Sequence, residues 1–181
     1  MGRLSRSWSL VKASWTVLRQ DKELLVFPLI SSLAMLAVVA CFALPLVGSG
    51  AFDGLARGDE STLLHYGIAF VFYVVQYFVI FYFNAALVGA AMIRLDGGDP
   101  TVGDGLRIAS SKLGAIFGYA LIAATVGLVL RVLQERVGFL GKIVIGLLGT
   151  GWTVATYLVV PVLVTRDVGP VEAVKESATL L

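Results

Sequence analysis

Three aspartates, one histidine, one cysteine and two amides are the residues whose types and placement suggest chemistry. Asp96, Asp99 and Asp104 cluster around Gly97 and Gly98, a composition seen in calcium loops. An EF-hand loop needs a bidentate glutamate at its twelfth position. Counting Asp96 as the first, the twelfth is Arg107, so the cluster reads as turn and helix-cap chemistry. His65 has no cysteine or second histidine beside it, and zinc sites are built from several such ligands. Cys41 sits deep in an apolar run. A lone thiol forms no intramolecular disulfide and no multi-cysteine metal site, so it reads as a small membrane-facing or packing residue. No catalytic constellation, metal site or cofactor site is expected.

Gln76 and Asn84 are different, because they are polar groups inside a long apolar run. In lipid each needs a partner, so both are expected to face other helices. Eight positions apart, they lie about two turns apart on roughly similar faces. They fit interhelical hydrogen bonds, worth ~0.6 kcal/mol on average, or the lining of a solute path. The structural role is the favoured one.

The elements that must position these residues follow from composition. The chain has 181 residues, 58% of them hydrophobic and 14% charged, with a mean hydropathy of +0.90. Soluble domains carry about a quarter charged residues, so much of this chain has no water to face. A net charge of +2 is too small to suggest nucleic acid.

Four apolar runs emerge. The first is Leu24 to Val47, with Pro28 near its start and Pro45 near its end. Its length exceeds a signal-peptide core, and its leader contains Asp21 and Glu23, so it reads as a retained span. Pro45 is expected to kink or stop it. The second run, Tyr66 to Ile93, is ring-rich in its first half. Its second half is small, with Ala85, Ala86, Gly89, Ala90 and Ala91. Small residues let helices approach closely in lipid, so that half is expected to be the more tightly packed. The third run, Leu113 to Leu130, is short for a span, and Arg131 would extend it by snorkelling. Gly114 and Gly118 form a Gly-x-x-x-Gly pair in it. The fourth, Ile143 to Thr165, has a small, mildly polar side at Gly146, Thr150 and Thr153, and a kink is expected near Pro161. Gly89, Gly114, Gly118 and Gly146 are the candidate packing positions.

Three amphipathic segments lie outside the runs. In residues 3–20, Leu4, Trp8, Val11, Trp15 and Leu18 fall on one narrow face. Trp8, Trp15, Lys12 and Arg19 are candidate membrane-interface anchors there, as is Arg131 beyond the third run. The same face could instead pack on the bundle. Residues 101–113 form a second segment, with Thr101 as N-cap and Asp104 three positions on. Gly103 and Gly105 weaken it. Residues 171–181 form a third. Asp104-Gly105-Leu106-Arg107 and Glu172-Ala173-Val174-Lys175 share an acid–small–aliphatic–basic order. The pattern suggests a unit of amphipathic helix plus helical hairpin, used twice and begun a third time. A chain that is part of a longer protein would explain that ending.

The domain reading is therefore 1–23 interfacial, 24–93 first hairpin, 94–112 connection, 113–165 second hairpin and 166–181 C-terminal segment. Lys and Arg number ten on the side holding the termini and four on the other. The positive-inside rule puts both termini in the cytoplasm of a multi-pass cell-membrane protein. The fold class is all-α, a polytopic membrane bundle of four spans.

Three stretches together carry a resemblance: residues 7–28 (SWSLVKASWTVLRQDKELLVFP), 83–105 (FNAALVGAAMIRLDGGDPTVGDG) and 160–181 (VPVLVTRDVGPVEAVKESATLL). The chain resembles a family of multi-pass bacterial and archaeal membrane proteins of unknown function. It is similar, more distantly, to the membrane domain fused to some glycerophosphodiester phosphodiesterases. The resemblance implies a bundle extending to about six spans. It implies no site residues. The function expected is a non-enzymatic scaffold or assembly component, in contact with membrane lipids and with other membrane proteins or further copies. The alternative is a transporter or channel subunit for a neutral or lipid-like solute.

Overall fold

The computed structural model describes Trp8 and residues 22–48 and 62–181. Trp8 is helical and exposed. The anchors Lys12, Trp15 and Arg19 lie outside the described residues, as does the first inter-span connection.

From Lys22 on, the described residues form seven helices in order: α1 Lys22–Gly48, α2 Thr62–Leu95, α3 Val102–Ser111, α4 Leu113–Arg136, α5 Phe139–Ala155, α6 Val159–Thr165 and α7 Pro170–Leu180. No strand occurs among the described residues. Four stretches are long and apolar enough to cross a membrane: Leu24–Pro45, Gly67–Leu95, Leu113–Arg136 and Phe139–Thr165. The all-helical, four-span architecture read from the sequence is the one observed.

α2 is the central element, because α1, α3, α4 and α6 all pack on it. α1 and α2 run antiparallel, with Phe42 edge-on to Phe72 at 5.2 Å and Phe27 near Ala86 at the other end. α2 and α4 also run antiparallel. Arg131 of α4 reaches Tyr73, and Tyr119 stacks on Phe81 at 4.4 Å. Rings four apart build a ladder along α2, Tyr73 on Tyr77 and Tyr77 on Phe81. The small-residue half carries most of the buried positions: Ala85, Ala86 and Ala90 are sealed from solvent, with Val74 the buried residue among those described in the ring-rich half. They form one cluster with Leu24, Phe27, Ala109 and Ile116.

Several boundaries differ from those read in the sequence. α1 passes through Pro45 and ends at Gly48. α4 has 24 residues, about 36 Å at 1.5 Å per residue, and continues six residues past Leu130. Only Val137 and Gly138 separate it from α5. Arg131, Arg136 and Lys142 therefore sit on helix ends. The physical reason is that a charge marks the edge of the hydrocarbon, whereas backbone hydrogen bonding continues into the interface.

The fourth span breaks at Thr156–Leu158, one turn before Pro161. Proline lacks an N–H and its ring crowds the carbonyl four residues back, here that of Tyr157. The chain tightens instead: Tyr157 donates to Val154 O at 3.1 Å and Val159 to Thr156 O at 3.2 Å. The Leu158 N–H leaves the helix altogether and donates to Ser177 Oγ of α7 at 3.0 Å.

α3 and α7 fold back against the spans. The link between α2 and α3 explains how. Gly97, at φ 85°, lets Gly98 N–H reach Ile93 O and Gly97 N–H reach Arg94 O, closing α2 as a Schellman turn. Arg94 then ties Gly98 O at 3.1 Å and Asp99 at 2.7 Å. Thr101 and Asp104 form a reciprocal capping box at the start of α3. The three aspartates thus belong to a turn and a cap.

The Thr101 hydroxyl and backbone N–H, with Arg107 alongside, hold the Asp104 carboxyl below the usual carboxylate range. A lowered native value means that the stabilisation is complete above the ordinary aspartate value and is lost as pH falls through the native one. The melting temperature of the wild type minus that of Asp104→Ala should therefore be constant at neutral pH and shrink on acidification below about pH 4. A difference that grows on acidification would contradict the cap.

Candidate functional site

Polar groups at span depth gather in two grooves. The first lies between α1 and α2, holds about 210 Å³, and is lined by Phe27, Pro28, Ser31, Ser32, Asn84 and Leu87. Ser32 Oγ donates to Pro28 O at 2.7 Å. That carbonyl lies one turn into the helix from Leu24, whose own helical donor Pro28 cannot supply. Asn84 is exposed, and ten residues of helix place it ~15 Å from the charged end at Arg94. An amide at that depth faces hydrocarbon or a partner.

Gln76 does not line this groove. At 100° per residue, eight positions leave two side chains 80° apart. Asn84 thus lines the α1/α2 groove and Gln76 stands outside its lining.

The second groove lies among α2, α4 and α5 and holds about 450 Å³. Tyr77, Gly127, Gln134, Gly146, Gly149 and Thr150 are among its lining. Thr150 Oγ1 donates to Gly146 O at 2.9 Å and Thr153 Oγ1 to Gly149 O at 3.0 Å. Their hydroxyls keep acceptor capacity toward the groove. Arg131 stands near its mouth, donating to Tyr73 Oη at 2.7 Å and pairing with Glu135 at 3.4 Å.

The glycines divide. A β-carbon on Gly89 would stand 2.8 Å from Ile108 Cγ2, and one on Gly118 2.8 Å from Pro170 Cγ. These two let α3 and α7 approach the spans. At Gly114 and Gly146 a β-carbon would meet nothing within 4 Å, so they make no close helix contact. The tightest approach is at Gly105, where a β-carbon would lie 2.5 Å from Ala86 O and 2.6 Å from Phe27 Cζ. Sequence reasoning counted Gly105 only as a helix weakener. Its place one turn before Ala109, two small residues on a single face, was the signal available.

At the end of the bundle that carries α3 and α7, ion pairs join the short helices to the spans. Lys112 reaches Asp167 at 3.0 Å and Arg166 O at 3.3 Å, and Arg166 pairs with Glu176. Cys41 is exposed on α1. Among the described residues no three His, Cys, Asp or Glu side chains come together as metal ligands.

Residues 63–181 match the model of a family of unknown function, DUF6159. The chain belongs to that family. No curated protein and no solved structure matches it. The family region begins with α2 and runs through α7. The α2/α4/α5 groove therefore lies wholly within it, whereas the α1/α2 groove takes one wall from outside it.

Proposed function

We propose that the protein is a non-enzymatic membrane scaffold that assembles through the α1/α2 groove, with a second copy of the chain as its partner. The observation that carries this reading is the exposed Asn84 amide at span depth, beside Ser31 and Ser32. An amide both donates and accepts, so two Asn84 side chains can pair across a two-fold axis, the commonest symmetry of oligomers. Among the described residues, α1 packs chiefly on α2 and to a smaller extent on α3. With Lys and Arg concentrated at the end that holds α3 and α7, that end faces the cytoplasm of a bacterial cell membrane.

A conduit for a neutral solute is the second reading. Neither the α1/α2 groove nor the α2/α4/α5 groove is lined by both Gln76 and Asn84.

The test is association in liposomes, read by energy transfer between labelled copies. Asn84→Leu should weaken dimerisation by about threefold to tenfold, from two interhelical hydrogen bonds at ~0.6 kcal/mol each and more when desolvated. Ser32→Cys, in a Cys41→Ser background, should cross-link between copies. Val144→Cys, on α5 in the same background, should not. Unchanged association in Asn84→Leu, or preferential cross-linking through α5, would remove the groove from the assembly.

A further inference from the structure

The groove among α2, α4 and α5 has a size, a depth and a charge pattern that together select a ligand. Its 450 Å³ falls within the ~300–1,000 Å³ of ordinary ligand sites. Along α4 its lining runs from Ala123 to Gln134, a rise of ~16 Å. That is close to half of a ~30 Å hydrocarbon core, the depth of one leaflet. Gly127 and Gly149 keep its walls thin, and Gly146 opens on empty space.

The lining mixes apolar and polar groups along that depth. The inner part is lined by Ala123, Trp152 and Thr153, and the outer part by Leu130, Gln134 and Ile145. The Tyr77 hydroxyl, beside Gly127, makes no hydrogen bond among the described residues. At the mouth both helices bring a cation. Arg131 lies one turn beyond Gly127 on α4, and Lys142 one turn before Gly146 on α5. Arg136 adds a third at the turn, against Glu135 alone, and neither Arg136 nor Lys142 has an ion-pair partner among the described residues. A cationic mouth over a leaflet-deep slot of small, apolar and hydroxyl-bearing residues is complementary to one molecule class: a lipid with an anionic head group.

We propose that the α2/α4/α5 groove is a binding site for a single anionic phospholipid. An acyl chain lies along Gly127, Gly146 and Gly149, and the phosphate sits between Arg131 and Lys142. This site is independent of the α1/α2 assembly face and would persist in a monomer.

Trp152 lines the groove and serves as the reporter. Trp8→Phe and Trp15→Phe leave it as the single tryptophan of three. The protein is reconstituted in phosphatidylcholine vesicles containing increasing fractions of brominated phosphatidylglycerol or brominated phosphatidylcholine, which quench tryptophan on contact. Half-maximal quenching should occur at about a fivefold lower fraction of the brominated phosphatidylglycerol, as one cation's attraction to an anionic head group gives. Gly146→Phe, at a position where a β-carbon meets nothing within 4 Å, puts a ring into the slot and should erase this preference with helicity unchanged. Lys142→Gln, at an exposed position, should weaken it while leaving the phosphatidylcholine curve in place. Equal quenching by the two lipids in the parent overturns the proposal. So does a preference that survives both substitutions, or a Trp152 shielded from both lipids, which would mean that a protein segment fills the groove.

Discussion

Gly105→Ala should destabilise the protein by about 1–3 kcal/mol, the usual cost of over-packing a close contact. Helix propensity alone gives the opposite sign, since alanine is favoured over glycine by about 1 kcal/mol in a helix interior. Sterics decide because the β-carbon would stand 2.5 Å from Ala86 O and 2.6 Å from Phe27 Cζ. The first is backbone in the middle of α2, and the second belongs to a ring that is 1% exposed. Neither is the free end of a flexible chain, so α3 must move away from both α1 and α2. Gly103 is the internal control. It is exposed on the same helix, and its nearest neighbour would be Thr101 Oγ1 at 3.6 Å. Gly103→Ala should stabilise by up to about 1 kcal/mol. Unfolding titrations in mixed micelles should therefore rank Gly103→Ala at or above wild type and Gly105→Ala clearly below. A Gly105→Ala midpoint at or above wild type would show that α3 is not seated on the bundle.

The two glycines explain what the sequence makes legible here. The spans are plain because lipid excludes charge, and long gaps between charges in a chain of this composition have few other meanings. The cap of α3 is plain because Thr101 and Asp104 have the spacing of a reciprocal cap. What composition does not reveal is which face of a short amphipathic helix is covered, and by what. Gly103 and Gly105 look alike in sequence, yet one faces solvent and the other lies under two helices. The same limit applied to Gly114 and Gly146, whose spacing or company suggested packing and where a β-carbon would meet nothing within 4 Å.

The faint repeat in the sequence gains physical content from burial. Gly105 and Ala109 are the buried pair of α3, and Ala173 and Ser177 are the buried pair of α7. Both pairs are four apart, and both follow an N3 carboxylate, Asp104 in one helix and Glu172 in the other. Each short helix thus returns along its preceding span and lays two small side chains against it. The equivalence breaks at the last position, where α3 has the methyl of Ala109 and α7 the hydroxyl of Ser177. That difference coincides with what each helix covers: α3 lies on the unbroken α2, and α7 lies on the break before α6.

Ser177→Ala should accordingly cost about 1–3 kcal/mol, the penalty of a buried donor left without an acceptor. Ser177 is fully buried, and its Oγ accepts the Leu158 N–H at 3.0 Å. Alanine in its place leaves that N–H without its acceptor beside a cluster of Tyr119, Val159, Val162 and Leu163. Pro161 is the origin of the stranded donor, so the two residues should be coupled. Pro161→Ala restores an N–H for the Tyr157 carbonyl and lets the fourth span close into continuous helix, in which Leu158 N–H donates to Val154 O. In that background the Ser177 hydroxyl loses its task, and Ser177→Ala should cost much less than in wild type. A double-mutant cycle should return a coupling energy of about 1 kcal/mol or more, beyond the few tenths seen for independent sites. Amide exchange at Leu158 gives a second readout: faster in Ser177→Ala, slow again in the double variant. Additive effects with unchanged exchange would mean that α7 packs on the break without holding it.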